Sequence, residues 1–424
     1  MNILILNQTF HPDVASTGQL MWDLAQHLQR AGHTVRVLTS RQFYGTDRLH
    51  ELVEETIDGI HVKRVRGTAF GKKNILGRLS DFATFYLAAA YDLLRAEKPD
   101  VILSLTSPPL ISLLPAFVRC IWGGKPALVH HVMDLYPEAL EAHGMMTPRH
   151  PLYRLFHLAT GFTLSQSDAV IALGHDMKEL LLRSYRGHLS ASNVHVVQPW
   201  AEGDKLWPTD RHANPLLDQA GLRNTFNLIY SGNLGLAHDV DTITQAIRQT
   251  ATDHALRWVF VGSGKRYDAL KMQAAEERWQ NATFLPFAPR EMLNQSLNMA
   301  DVHLVSQLPQ FTGIVVPSKL YGIFAVGKPT LMVGPADCEC SRAIKGHDAG
   351  LVVECGDVDG LVSAVKRLRD DPNLRQRMGA NARNAFARNY DRPVACDRIE
   401  RILLGAVDGQ AVDSPPLIDH ATGS

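Results

Sequence analysis

Val316-Pro317-Ser318-Lys319-Leu320-Tyr321-Gly322 runs through Gly327-Lys328-Pro329 into the aliphatic stretch Thr330–Val333, and reads as a loop, one short helix and a strand. Pro317 fixes its own φ and suits a first helical turn. Ser318 carries an N-cap side chain, and Lys319 adds a positive charge beside the positive end of that helix. Two positive features at one point call for an anion, and phosphate fits best. A second turn, Ser231-Gly232-Asn233-Leu234-Gly235, also lies between an expected strand and an expected helix. Two phosphate-compatible loops in one half of the chain suggest a nucleoside diphosphate, the handle of an activated sugar.

The rest of the chain repeats this strand–helix rhythm. In the first half the β-branched and aliphatic runs are Ile3–Leu6, Val35–Leu38, Ile60–Val65, Val101–Ser104, Ala127–His130, Ala169–Ala172 and Val194–Val197. In the second they are Leu228–Tyr230, Trp258–Val261, Thr283–Leu285, Val302–Val305, Thr330–Val333 and Leu351–Val353. Helical patterns such as Gln19–Arg30 and Leu79–Glu97 separate them. Such alternation predicts an α/β fold with mostly parallel sheets covered on both faces. The Pro- and Trp-containing segment Gln198–Pro208 reads as a linker. It divides residues 1–200 from residues 201–390, giving two Rossmann-like domains facing across a cleft at the carboxyl ends of their sheets. Residues 391–405 are expected to form a last helix that crosses back to the first domain, and residues 406–424 a loose tail.

Bulk properties narrow the function. The chain has 424 residues, enough for two domains, and 43 basic against 43 acidic side chains. Zero net charge argues against a nucleic-acid partner. Met1-Asn2-Ile3-Leu4-Ile5-Leu6 enters a strand directly, with no basic segment or cleavage site, so no signal peptide is expected. The longest apolar stretch, about 110–122, is too short to span a bilayer. Five cysteines, an odd number without zinc spacing, suggest reduced thiols in the cytoplasm.

Individual motifs add candidate site residues. The loop Asn7–Pro12 leaves the first strand, and Ser16-Thr17-Gly18 opens a helix; Gly18 is either a substrate contact or part of an ordinary capped loop. His130-His131-Val132-Met133-Asp134-Leu135-Tyr136-Pro137-Glu138 follows a buried strand and should emerge at its carboxyl end. Asp134 there binds hydroxyls, steers a proton or caps a turn, and His131 serves as acid, base or packing partner. Val261-Gly262-Ser263-Gly264-Lys265 lets backbone approach a base or phosphate, though it lacks the Gly-Lys-Ser/Thr ending of a P-loop. Asp239-Val240-Asp241 is better explained by a helix start than by a metal. The basic cluster Lys63, Arg64, Arg66, Lys72, Lys73 and Arg78 precedes Phe82, Phe85 and Tyr86. It suits either an anionic membrane surface or a solvated face followed by a core-facing helix stripe.

Taken together, Tyr230–Gly235, Val316–Gly322, Gly327–Pro329 and Ala349–Val352, supported by Asp134–Glu138, resemble the family-4 retaining glycosyltransferases of GT-B fold, especially those of bacterial O-antigen, capsule and exopolysaccharide synthesis. The resemblance implies a nucleotide-sugar donor in the C-terminal domain. The acceptor, an undecaprenyl-type lipid-linked saccharide, would sit in the N-terminal one, in an enzyme peripheral to the inner membrane face. It implies catalytic roles for Asp134, Lys319 and His131. Donor contacts would come from Gly18, Gly232, Asn233, Gly235, Gly262, Gly264, Ser318 and Lys319, with no metal and no cofactor. The family's Glu-x7-Glu pair is missing: its positions hold Ile314 and Gly322, so Glu339 is the candidate for the ribose contact. Asn233 and His238 replace the usual Arg and Lys after the glycine turn, and Met133 replaces the usual His before the aspartate. Alternative readings are a GT-B-fold sugar-nucleotide epimerase and a catalytically weak assembly subunit.

Overall fold

Val101–Ser104 and Val302–Ser306 are buried at every position, as strands covered by helices on both faces must be. The computed structural model describes residues 1–13, 15–43, 46, 48–68 and 75–410. They form two units: Met1–Gln198 with the stretch beginning at Ala395, and Pro199–Val394.

The strands of the first unit are β1 (Asn2–Leu6), β2 (Thr34–Ser40), β3 (Glu54–Ile57), β4 (Ile60–Val65), β5 (Val101–Ser104), β6 (Ala127–His131), β7 (Ala169–Ala172) and β8 (Val194–Val196). Its helices are α1 (Ser16–Arg30), α2 (Ile75–Arg95), α3 (Leu113–Ile121), α4 (Glu138–Ala142), α5 (Pro151–Ser165) and α6 (His175–Ser184). The sheet order is β3-β4-β2-β1-β5-β6-β7-β8, parallel throughout except for the β3–β4 hairpin. That hairpin was not expected. Its signal is Asp58-Gly59, whose φ values of 48° and 80° suit the tight turn that antiparallel strands prefer.

The second unit contains α7 (Pro215–Gln219), β9 (Phe226–Asn233), α8 (Asp241–Gln249), β10 (Leu256–Ser263), α9 (Lys265–Glu276), β11 (Ala282–Leu285) and α10 (Leu293–Asn298). It continues with β12 (Val302–Ser306), α11 (Lys319–Ala325), β13 (Thr330–Val333), α12 (Glu339–Gly346), β14 (Gly350–Val353), α13 (Val358–Asp370) and α14 (Pro372–Ala385). Its parallel sheet runs β11-β10-β9-β12-β13-β14. Trp258, fully buried in its core, donates its indole N–H to Thr250 Oγ1 at 3.0 Å, so the large side chain leaves no polar atom unmatched.

The expected linker is packed. Trp200 and Leu206 are buried, and the Asp391 carboxylate accepts from the Gly203 amide at 3.1 Å. The last helix, α15 (Arg392–Asp408), extends three residues past the expected start of the tail. It is held to the first unit by Glu400, which accepts from His27 Nε2 at 2.8 Å and His33 Nε2 at 3.0 Å. All five cysteines are reduced thiols.

Two members of the basic cluster are engaged within the fold, and Arg66 is exposed. Lys63 pairs with Glu54 and Asp92, each at 3.0 Å. Arg64 is fully buried against Glu55 and the His11 carbonyl. Phe85 lies in the core and the Tyr86 hydroxyl donates to the Pro109 carbonyl, because the 3.6-residue period of α2 turns that stripe inward. Lys72 and Lys73 lie outside the described residues, as does the Arg78 side chain.

Close backbone approach also shapes the second sheet. A Cβ on Gly350 would sit 1.8 Å from the Thr330 carbonyl oxygen. Gly350→Ala should therefore force β13 and β14 apart and cost about 1–3 kcal/mol, as overpacking does. Urea denaturation is the check; unchanged stability would mean that this contact relaxes freely.

Candidate active site

In the second unit the strands β9 and β10 stay paired through their glycine turns, Gly262 opposite Gly232 and Ser263 opposite Asn233. Gly232, Gly262 and Gly264 have φ values of 136°, 146° and 129°, a region that side chains rarely enter. Space forbids a side chain as well. A Cβ on Gly262 would lie 2.1 Å from the Gly232 carbonyl oxygen, and one on Gly264 would lie 2.5 Å from Asn233 Oδ1. The result is a bare backbone surface at the carboxyl edge of the sheet.

Lys319, the first residue of α11, reaches over this surface. Its Nζ lies 3.6 Å from the centroid of the Tyr230 ring and would be 3.2 Å from a Cβ on Gly232. The residue as a whole is half-buried, but Nζ is shielded from solvent and has no hydrogen-bond partner among the described residues. Burial lowers its pKa to about 7, with Cys340 opposing the shift weakly. Tyr230 is fixed in turn, its hydroxyl donating to the Asn233 carbonyl at 3.0 Å. His238 donates Nδ1–H to the Ser306 carbonyl at 2.6 Å and packs edge-on against Tyr230. Burial, then the Lys319 charge, lowers the His238 pKa to about 3, so it is neutral there. Arg266 also acts electrostatically on His238, and its buried Nε has no partner among the described residues.

The first unit offers a different chemistry at the end of β6. A small cavity of about 20 Å3 is lined in part by Thr106, Ser112, His130, Asp134, Tyr136 and Thr160. The Thr106 hydroxyl accepts from the amides of Met133 and Asp134 at 3.2 and 3.1 Å, which holds the chain where it leaves the strand. Burial raises the Asp134 pKa to about 6. His130 Nδ1 lies 2.5 Å from Ser112 Oγ, and burial lowers its pKa to about 4.

The expected site residues divide accordingly. Gly232, Asn233, Gly262, Gly264 and Lys319 come together, and Asp134 lines the first-unit pocket. His131 does not: His130 lines that pocket instead, while His131 is fully buried, with neither ring nitrogen partnered among the described residues. Strand β6 runs on through His131, and neighbouring strand residues face opposite sides. Ser318 is not a cap. It is exposed, already helical at φ −62° and ψ −18°, and its side chain makes no cap hydrogen bond. Gly235 shares the turn, but a Cβ there would meet only Asn233 Nδ2, at an ordinary 3.6 Å. Gly18 packs within 3.2 Å of the Phe10 amide by the same measure, so close packing already accounts for it. Glu339 opens α12 and is buried. Its neighbour Cys340 lies 3.7 Å from the Pro317 carbonyl, which places the start of α12 beside the Lys319 turn.

The two positions lacking the acidic pair have apolar surroundings: Ile314 is buried and Gly322 lies against Leu297 and Leu206. Asp239 accepts from the Thr242 amide at 3.0 Å and its hydroxyl at 2.6 Å, as a helix-start residue does. Arg266 and Tyr230 were missed as site residues. Arg266 directly follows a glycine turn at a helix start, and that was the available signal.

Known glycosyltransferase families match the two halves of the chain separately. Residues 17–200 match the glycosyl transferase 4-like domain, and residues 219–385 match glycosyl transferases group 1. The probable glycosyltransferase WbjE of Pseudomonas aeruginosa is 27% identical over 72% of this chain and 74% of its own length. The putative colanic acid biosynthesis glycosyl transferase WcaI of Escherichia coli K12 is 24% identical over 96% of this chain and 100% of its own. Among solved structures, HepE of Anabaena in complex with UDP superposes with a TM-score of 0.70 at 15% identity, covering 96% of this chain and 100% of that one. Two matched glycosyltransferase domains on two parallel α/β sheets identify the chain as a member of the family-4 glycosyltransferases of GT-B fold.

Proposed function

We propose that the chain transfers a sugar, with retention at the anomeric carbon, from a nucleoside-diphosphate donor in the second unit to a lipid-linked saccharide held by the first. The product would be a bacterial surface polysaccharide, and the enzyme would work at the inner face of the membrane without a divalent metal. The observation that carries this reading is the Lys319 amine, buried beside two bare glycine turns with no anion to pair with. A diphosphate supplies that anion. The polysaccharide context is supported by the colanic acid relative, and the nucleotide by the UDP complex of HepE.

The chemistry follows from the charges. As the bond from the anomeric carbon to the diphosphate breaks, negative charge grows on the leaving oxygen. Lys319, Arg266 and the glycine-turn amides would stabilise it, the kind of preorganised electrostatics that often supplies the largest catalytic term. The leaving phosphate helps take the acceptor proton. Asp134 and His130 would bind and orient acceptor hydroxyls. Asp239 and Asp241 are not needed for a metal in this scheme.

Lys319→Ala should lower turnover by about 10²–10³-fold, or about 2.7–4 kcal/mol, with the fold intact by circular dichroism. A panel of nucleotide sugars with lipid-linked acceptors, read by nucleoside-diphosphate release, is the assay. Turnover close to that of the parent enzyme would remove Lys319 from the reaction.

Protonation gives an independent test. With a pKa of about 7 in the empty site, Lys319 is mostly neutral at pH 8 and must gain a proton when it pairs with a diphosphate. Nucleotide binding at pH 8 should therefore take up close to one proton, and affinity should fall as pH rises above about 7. Calorimetry in buffers of different ionisation enthalpy measures this. Equal heats in all buffers would contradict it, and Lys319→Ala should abolish the uptake.

Asp134 has the opposite logic. Its carboxylate form exists above its pKa of about 6, so transfer should decline as pH falls through that value. Asp134→Asn should depress transfer at all pH values while leaving nucleotide affinity unchanged. Loss of nucleotide binding in that variant would reverse the roles given to the two units.

A further inference from the structure

Helices α2, α3 and α5 are apolar on their outward faces as well as on their buried ones. On α2, Phe85, Ala89 and Leu93 face the core, while Leu87, Tyr91 and Leu94 form a second stripe at i, i+4 and i+7 that faces out. Leu87 is 73% exposed. On α3 the outward pair is Phe117 and Ile121, the latter 70% exposed; on α5 it is Leu155 and Leu158, the latter 68% exposed. The helices are neighbours, α2 packing on α3 and α3 on α5. Phe117 meets Phe162 of α5 with ring centroids 5.2 Å apart, so the stripes join into one face. α14, by contrast, meets solvent with polar side chains such as Gln376 and Arg377. Contiguous exposed apolar surface of this kind marks an interaction site.

The charges around the face select its partner. Neither α3 nor α5 contains an aspartate or glutamate. Asp92 of α2 is engaged by Lys63 at 3.0 Å. The exposed charges on or just beyond these helices include the cations Arg95, Lys98, Lys125 and Arg154 and the acids Glu97 and Asp100, a cationic excess in a chain whose net charge is zero. Arg95 lies over the Tyr91 ring at 4.3 Å, and the Lys98 amine over the Trp122 ring at 5.3 Å. Cations carried beside aromatic rings at the border of an apolar surface match the interface between lipid head groups and acyl chains. A second copy of the chain would bring the same cations against them. No helix among the described residues is long and apolar enough to cross a membrane, so the face would lie on one.

We propose that the outer face of α2, α3 and α5 is a membrane-docking surface, resting on anionic lipid head groups with its apolar side chains at the acyl boundary. It rests on the functional reading above and gives the peripheral attachment contained in it a definite location on these three helices. Because apolar contact contributes alongside charge, binding should weaken in high salt without vanishing.

The test is flotation of the full chain with phosphatidylglycerol-containing vesicles and with phosphatidylcholine vesicles. The wild type should float with the former and much less with the latter. A triple variant, Leu87→Glu, Ile121→Glu and Leu158→Glu, should reduce binding at least about tenfold while keeping its melting temperature and nucleotide affinity, since all three side chains are already exposed. Cys120, an exposed thiol between Arg119 and Ile121, gives a second readout that needs no folded variant. An environment-sensitive fluorophore on it should shift to the blue on anionic vesicles. Absence of flotation, an unaltered fluorophore spectrum, or unchanged binding by a folded triple variant would each overturn the proposal. So would a wild-type dimer in light scattering that the triple variant dissociates. Vesicle binding without sugar transfer from any donor in the panel would leave the surface standing and refute the enzymatic reading instead.

Discussion

The second unit is organised around a contact that only glycine permits. The backbones of β9 and β10 remain paired past the point where strands normally diverge, and Gly262 meets Gly232 at a separation that excludes a Cβ. Bare backbone at that edge leaves room for the Lys319 side chain to lie flat across the Tyr230 ring. Tyr230 is held by the carbonyl of Asn233 in the same turn, and His238 braces Tyr230 from the side. Adding a methyl group at the glycine pair would thus disturb the strand ends, the aromatic support and the cation together.

Most of the architecture was legible because it rests on periodicity. Each aliphatic run gave a strand at its expected place. The glycine turns were legible for a related reason: glycine at a strand end restricts what the backbone there can be doing. What escaped was side-chain direction. His130 and His131 are equivalent as letters, and one further residue of strand decides which of them reaches the pocket. Ser318 has the right side chain for a cap, yet its backbone is already helical, so the hydroxyl has no terminus to close. In α2 the sequence left open whether Phe82, Phe85 and Tyr86 face the core or a membrane, and Phe85 faces the core; two apolar stripes on one helix cannot be ordered from sequence alone.

Several half-buried charges are paired. Arg119 is bidentate with Asp168, and Arg211 meets Asp301 at 3.3 Å. Lys319 and Asp134 have no ion pair among the described residues, and each has a pKa moved by burial toward the neutral form. A buried cation without a partner costs stability, and the ring of Tyr230 offsets only part of that cost. Such a group persists where a ligand completes it, and a protein's departures from good local chemistry gather at such places. Their separation matters too. Lys319, with no hydrogen-bond partner for Nζ among the described residues, sits in one unit beside bare amides, suited to a phosphate; Asp134 lines a cavity in the other with hydroxyls and an imidazole, suited to a sugar alcohol. In the proposed transfer, one chain with no net charge would offer a field of one sign to the donor and of the other to the acceptor.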